Sequence, residues 1–131
     1  MDGLLIEQSD FSPLVNFDLQ KNYFEIKGES RPENTSKFYE VILSWLVAYG
    51  EYLKVNPSSN TLNFHFKLDY FNSTSAKFIL DMLRQLEIIN KQQGSTNTTI
   101  HWYHDKLDDD MRDSGEEFSL LVQLPFAFIE Y

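Results

Sequence analysis

Short stretches of alternating apolar and polar residues open the chain, and this period of two predicts strands rather than helices. The first predicted strand, Leu4–Gln8, starts with a brief apolar run, and the next two, Leu14–Leu19 and Tyr23–Gly28, alternate with period two. The last two are separated by Gln20–Asn22, a sequence typical of a hairpin turn. Gly28, Pro32 and Asn34 then mark a loop.

The pattern next changes to a spacing of three and four, which predicts an amphipathic helix. Asn34, Thr35 or Ser36 can cap this helix. Its predicted wide buried face consists of Phe38, Ile42, Trp45, Tyr49 and Tyr52, with Val41, Leu46 and Leu53 beside them. A turn is predicted at 57–60.

The clearest alternation in the chain follows at Leu62–Tyr70. One face of this predicted strand is apolar and the other polar, so we expect helices to cover one side of it. The apolar set is Leu62, Phe64, Phe66, Leu68 and Tyr70. A second helix is predicted from about Ala76 to Asn90, with Gly94 as its stop.

The remaining pattern predicts a strand over Thr98–Asp105, a third helix and a last strand over Pro125–Tyr131. Leu107, Met111 and Phe118 define the third helix, which we expect to be interrupted near Ser114–Gly115. The resulting order, β-β-β-α-β-α-β-α-β, implies crossover connections and a partly parallel sheet. The fold class predicted for residues 1–131 is therefore a single α/β domain with a mixed sheet, in which Leu62–Tyr70 is the central strand.

Composition narrows the classes of function. The 131 residues include 20 acidic and 11 basic ones, for a formal net charge of −9, with no basic run, so nucleic acid is not an expected partner. The chain has no cysteine, which excludes disulfides and thiolate chemistry. No secretory signal opens it and no apolar segment is long enough to span a bilayer, so we expect a cytoplasmic protein.

Enzymatic and metal sites lack their usual sequence signals. Ser73 follows a predicted strand but no G-x-S-x-G motif surrounds it. His101 and His104 are three residues apart in a predicted strand, so they face opposite sides and cannot share a metal. The acidic segment Asp108–Glu117 has Asp113 where a calcium loop requires glycine. We therefore expect no catalysis, no metal and no cofactor.

Three consecutive hydroxyl residues, Ser73, Thr74 and Ser75, lie where the central strand is predicted to become the second helix. One such residue is explained as a helix cap, because its oxygen accepts a backbone N–H bond. Three are not. The other interpretation is phosphorylation, which a helix N-terminus tolerates because its N–H groups and dipole favour negative charge. The residues by themselves leave both interpretations open.

The same segment suggests a partner surface. Phe78 and Met82 widen the apolar arc of the second helix beyond one packing face, so either the first helix covers them or a partner does. With Phe71 before the hydroxyl residues, and Glu33 and Asn34 before the first helix, they form the candidate partner surface.

Four segments resemble the SiaC family of bacterial regulatory phosphoproteins. They are Gly28–Leu46, Phe66–Glu87, Ile100–Asp105 and Pro125–Phe128, and they carry the pairing of G-x-S-x-P-E-N with Y-F-N followed by hydroxyl residues. The phosphoacceptor segment is also similar to STAS domains of anti-sigma-factor antagonists, which implies a STAS-like fold.

The resemblance assigns roles to individual residues. The family's acceptor is the first hydroxyl after the asparagine, which is Ser73 here, with Thr74 as the alternative because the usual threonine is displaced by one position. Ser75 is then expected to be the cap. The expected surroundings of the phosphosite are Asn72, Ser75, Lys77 and Asp69.

The resemblance also implies partners. A serine/threonine kinase and a PP2C-type phosphatase would set the phosphorylation state, and the unphosphorylated form would bind and activate a GGDEF diguanylate cyclase. Such a protein would act in cyclic-di-GMP signalling and biofilm control without being an enzyme itself. The alternative is a STAS-like scaffold or anti-sigma-factor antagonist without a phosphorylation switch.

Overall fold

The elements of the fold occur in the predicted order. A computed structural model describes residues 1–57, 60–92 and 97–131. The elements are β1 Leu4–Ile6, β2 Leu14–Asp18, β3 Tyr23–Ser30, α1 Thr35–Val55, β4 Leu62–Phe71, α2 Ser73–Lys91, β5 Thr98–His104, α3 Asp109–Leu121 and β6 Phe126–Glu130. Part of the turn predicted at 57–60, and the helix stop predicted at Gly94, lie outside the described residues.

All six strands form one mixed sheet in the order β1-β2-β3-β4-β5-β6. The first three strands are antiparallel neighbours, whereas β3, β4, β5 and β6 run parallel to one another. The predicted α/β class with a mixed sheet and three helices is confirmed. The prediction that Leu62–Tyr70 lies in the central strand is also confirmed, since β4 is one of the two middle strands of the six and pairs with β3 and β5.

The core lies on one face of this sheet. Successive parallel strands advance in one direction across the sheet, so crossovers of the usual right-handed sense place their helices on the same face. The fully buried rings of Phe24, Phe64, Phe66 and Trp102 line that face. Trp45 and Tyr49 of α1 contact the Phe24 ring there. The opposite face, called the open face below, carries the half-buried side chains of Tyr23, Glu25, Asn63, His65, Lys67, His101 and Tyr103.

The alternation of β4 ends one residue earlier than the sequence predicts. Gly28 pairs with Leu68 and Glu29 pairs with Tyr70, so Asp69 is an extra residue that shifts the register. As a result Tyr70 is 49% exposed, while Phe71 packs against the Trp102 ring. The prediction that Tyr70 belongs to the apolar face is wrong because the bulge turns its side chain outward.

The buried face of α1 agrees with the predicted face at four positions and differs from it at the others. Its buried residues are Tyr39, Ile42, Leu46, Tyr49, Gly50 and Leu53. Ile42, Leu46, Tyr49 and Leu53 are buried as predicted. Phe38 and Trp45 are only half-buried, and Val41 and Tyr52 are exposed. Trp45 nevertheless stacks on Tyr49, with ring centroids 4.9 Å apart.

Helix α3 is continuous, so the predicted interruption near Ser114–Gly115 is wrong. Gly115 is buried in the middle of the helix, where an added Cβ would overlap the indole ring of Trp102. The indole Nε1 in turn donates a hydrogen bond of 2.9 Å to the Met111 carbonyl. This glycine therefore allows close packing of α3 on β5 and does not break the helix.

Candidate functional site

Two helix N-termini lie side by side at one edge of the sheet. Strands β3 and β4 are parallel neighbours, so the chain leaves both at the same edge and begins α1 and α2 there. Asn34, one of the three predicted candidates, caps α1, because its side-chain oxygen accepts a 3.1 Å hydrogen bond from the Lys37 N–H. The Asn72 side-chain oxygen caps α2 in the same way, accepting a 2.8 Å bond from the Ser75 N–H.

The prediction that Ser75 caps α2 is wrong. Asn72 holds that position with extended backbone, and Ser75 is the third residue of the helix, fully buried. Its hydroxyl donates a 3.0 Å hydrogen bond to the Ser30 carbonyl oxygen. The Ser30 hydroxyl donates a 2.9 Å bond back to the Ser75 hydroxyl. Ser75 therefore anchors the start of α2 to the end of β3.

Tyr39 completes this buried network from α1. Its hydroxyl lies 2.5 Å from the Ser30 hydroxyl oxygen, and both side chains are fully buried. Burial raises the pKa of the Tyr39 phenol above its usual value, although the hydrogen bonds with Ser30 and Ser75 oppose this effect. The phenol thus stays neutral and remains a donor. A second link, from the Asn72 N–H to the Ser30 carbonyl at 3.2 Å, reinforces the junction.

Ser73 and Thr74 form the first two positions of α2, and both are exposed. The N–H groups of a helix's first turn have no partner within the helix, and the dipole is positive there. A phosphate on either hydroxyl would therefore find a favourable electrostatic environment. The three hydroxyl residues divide into two exposed ones, Ser73 and Thr74, and one buried anchor, Ser75.

The charged neighbours of this site differ from the sequence expectation. Lys77 is exposed one turn along, and its ammonium lies 5.6 Å from the Phe78 ring centroid. Asp69 is oriented towards Tyr131, whose hydroxyl lies 3.5 Å from its carboxylate. Sequence reasoning missed Arg31, which directly follows Ser30 at the junction.

Arg31 is held on both sides. Its guanidinium lies 4.7 Å from the Phe11 ring centroid, and its Nε donates a 3.0 Å hydrogen bond to Glu29. The G-x-S-x-P-E-N segment contains this arginine, but its contact with Phe11 joins residues far apart in sequence, which the local pattern does not reveal.

Only some residues of the candidate partner surface are exposed in the structure. Met82 is fully buried, so its assignment to that surface is wrong. Phe78 is half-buried and stacks on Tyr39 with centroids 5.5 Å apart, which means that α1 covers much of it. Phe71 is half-buried against Trp102, whereas Glu33 and Asn34 are exposed. The apolar surface of α2 is wider than one packing face because this helix contacts both α1 and the sheet.

Tyr70 is an exposed aromatic residue that the sequence reasoning placed in the core. It lies on β4 three residues before Ser73, and the bulge at Asp69 directs its side chain outward. Gly28, which precedes the register shift between β3 and β4, has a φ of +112°. A glycine in a strand is compatible with a bulge, but its presence in the sequence does not show which strand pairs with it.

The histidines occupy two separate environments. His104 is buried, whereas His65 and His101 are half-buried on the open face, paired in register with ring centroids 4.5 Å apart. Burial lowers the pKa of His65 to about 4, with further contributions from the neighbouring His101 and Lys67. Sequence spacing could not reveal this pair, since its members are on different strands.

Across the described ranges, no three His, Asp or Glu side chains come together in a geometry that could hold a metal ion. None of the helices described is long and apolar enough to cross a membrane.

The fold is a small α/β domain, and its candidate site is a helix start with two exposed hydroxyl residues. The sequence model of the SiaC family, described as "SiaC family regulatory phosphoprotein", matches residues 6–131. The chain belongs to this family.

Relatives of known sequence and structure agree with this assignment. An uncharacterized protein of Pseudomonas aeruginosa (strain UCBPP-PA14) is 25% identical over 127 residues, covering 97% of this chain and 95% of the relative. The crystal structure of apo-SiaC from Pseudomonas aeruginosa aligns with a TM-score of 0.82 at 23% identity, covering 98% of this chain and 99% of that one.

A further structure contains a relative together with a partner. It is the crystal structure of the diguanylate cyclase SiaD in complex with its activator SiaC from Pseudomonas aeruginosa. This match has a TM-score of 0.84 and 23% identity, and covers 98% of this chain and 99% of the other. At this identity the two structures establish that the fold is shared.

Proposed function

We propose that this protein is a non-enzymatic regulator that binds and activates a diguanylate cyclase, and that phosphorylation at the start of α2 switches this binding. The observation that carries the proposal is the pair of exposed hydroxyls, Ser73 and Thr74, on a helix start that buried Ser75 fixes in place. Family membership supports a regulatory phosphoprotein, and the relative that activates SiaD supports the class of partner.

Ser73 is the proposed acceptor, with Thr74 as the alternative. Both hydroxyls are exposed and lie at the positive end of the α2 dipole. Because the Asn72 cap and the Ser75 anchor are formed by other atoms, a phosphate on Ser73 leaves them in place. Modification is therefore compatible with the folded domain. A kinase and a PP2C-type phosphatase would be the enzymes that set the state.

The proposed docking surface surrounds the same helix start. It consists of the exposed residues Ser73, Thr74, Tyr70, Glu33 and Asn34. A phosphate adds about 1.5 to 2 negative charges there at neutral pH. Burying that charge and its hydration shell against a partner is unfavourable, and a loss of about 3 kcal/mol would weaken binding by roughly a hundredfold.

The test compares matched variants at Ser73. Calorimetric titration against the cyclase is expected to show weak binding for Ser73→Asp, and near-normal binding for Ser73→Asn and Ser73→Ala. Asparagine matches aspartate in shape without the charge, so it isolates the electrostatic effect. Circular dichroism checks that every variant is folded. Tight binding by a folded, fully phosphorylated protein would contradict the switch.

The acceptor is identified separately. Phosphate-affinity electrophoresis and intact-mass measurement of protein from its native cells are expected to show one phosphate, lost in Ser73→Ala. Loss in Thr74→Ala alone would keep the switch but move the acceptor. Absence of any phosphate under all growth conditions would favour the alternative of a scaffold without a phosphorylation switch.

A further inference from the structure

A second site lies on the open face, away from the hydroxyl residues. A cavity of about 330 Å³ is lined by Lys27, Lys67, Asp69, Tyr103 and Tyr131. These five residues, called the lysine–tyrosine pocket below, come from β3, β4, β5 and the residue after β6. The pocket lies towards the carboxyl ends of these parallel strands.

Neighbouring contacts hold the walls of this pocket in place. The Tyr103 hydroxyl lies 2.9 Å from Nδ1 of His65. The Tyr131 N–H donates a 3.1 Å hydrogen bond to the His104 carbonyl, and the Tyr131 carbonyl accepts a 3.0 Å bond from the Lys106 N–H. The rings of Tyr103 and Tyr131 meet edge to face with centroids 6.2 Å apart. The aromatic walls are therefore pre-organised, which lowers the entropic cost of binding.

Positive charge is concentrated at the other side of the pocket. Lys67 is held by Glu25, with 3.6 Å between its ammonium and the carboxylate, and by the Tyr103 ring, 4.6 Å from the centroid. Lys27 is exposed and makes no salt bridge to any of the residues described. In a chain with a net charge of −9, two lysines paired across β3 and β4 in one cavity are a local exception that favours an anion.

We propose that the lysine–tyrosine pocket binds a small organic anion, a carboxylate or a phosphate, that carries one flat ring. The anionic group lies between the ammonium groups of Lys27 and Lys67. The ring packs against Tyr103 and Tyr131, and a ring hydroxyl or other donor can reach the Asp69 carboxylate. Asp69 also forms the bulge of β4 four residues before Ser73, so an occupied pocket contacts the strand that leads into α2.

Four small molecules test the proposal. Two of them carry different anionic groups on a ring, and each of the other two lacks either the ring or the charge. Phenyl phosphate and benzoate both combine an anion with a ring, whereas inorganic phosphate lacks the ring and benzyl alcohol lacks the charge. The measurement is a nitrogen–proton NMR titration of the full chain at constant ionic strength. We expect at least one of the first two to give saturable shifts centred on Lys27, Lys67 and Tyr103. Inorganic phosphate and benzyl alcohol should bind at least about tenfold more weakly.

Lys27 is the best position for a test variant because its ammonium supports no other described contact. Lys27→Met is expected to weaken binding of the better probe about tenfold, whereas Lys27→Arg should retain it. Lys37→Met, an exposed lysine at the start of α1, is the matched control and should bind as the unmodified chain does.

Three results would overturn the proposal. One is the absence of saturable shifts with both ring-bearing anions up to about 10 mM. Another is equal affinity of Lys27→Met and the unmodified chain. The third is a pattern of shifts spread over exposed lysines, Lys37 included, which would indicate non-specific charge binding.

Discussion

The two faces of the sheet are covered in different ways, one by helices and the other by the side chains of the strands themselves. The helix-covered face is dry, with Phe64, Phe66 and Trp102 packed under α1, α2 and α3. The side chains of the strands themselves cover the open face. The His65 ring stacks on Tyr23, with centroids 4.6 Å apart, and on His101, with centroids 4.5 Å apart. The first arrangement gives stability and fixes the start of α2. The second leaves polar groups accessible to small molecules and protons.

The largest expected contrast is between two adjacent residues of β5 that point to opposite faces. Trp102→Ala should destabilise the protein by about 3 to 5 kcal/mol, since it removes a fully buried ring from the core. Tyr103→Ala, on the open face, should cost at most about 2 kcal/mol, because that side chain is only half-buried. Urea denaturation measures both. Similar losses would mean that the open face contributes as much as the core.

The next largest effect concerns the buried anchor of α2. Ser75→Ala leaves the Ser30 hydroxyl without its acceptor in a dry environment, so we expect a loss of about 1 to 3 kcal/mol. Thr74→Ala is the control, because it removes an exposed hydroxyl from the preceding position and should change stability by less than about 0.5 kcal/mol. If the control costs as much as Ser75→Ala, the assignment of Ser75 as the anchor is wrong.

The open face should also make stability depend on pH. The folded pKa of His65 is about 4, below its usual value of about 6.5, and burial lowers that of His101 too. Between pH 6.5 and pH 4 the unfolded state binds more protons than the folded state does. The free energy of unfolding is therefore at its full value above about pH 6.5 and decreases as the pH falls below it.

Because both imidazoles are partly solvated, screening limits this loss to about 1 to 2 kcal/mol in total. Denaturation midpoints measured from pH 7 to pH 4.5 check it. The double variant His65→Asn and His101→Asn should show a shallower decline over this range. An unchanged slope would assign the acid sensitivity to other groups.

The smallest expected effect is the coupling between Lys67 and Glu25. Their charged groups are 3.6 Å apart on a face that water reaches, so a double-mutant cycle with Lys67→Met and Glu25→Gln should give no more than about 1 kcal/mol. Raising the salt concentration should reduce it further. A larger, salt-independent coupling would mean that this part of the open face is as dry as the core.

Local pattern was sufficient for the elements and for part of the site. The alternation at Leu62–Leu68 and the spacing of Ile42 and Tyr49 placed their side chains on the buried face, because burial needs only a period that matches the element. The Y-F-N motif and its three hydroxyls located the strand-to-helix junction, although the helix was predicted to begin near Ala76 and begins at Ser73.

Only the tertiary structure separated the three hydroxyls by role. Asn72 is the cap and Ser75 the anchor because Ser30, on a neighbouring strand, supplies a carbonyl and a hydroxyl at the right distance. The outward turn of Tyr70, the His65–His101 pair and the lysine–tyrosine pocket have the same origin. Each depends on the register between strands far apart in sequence, and no local period encodes that register.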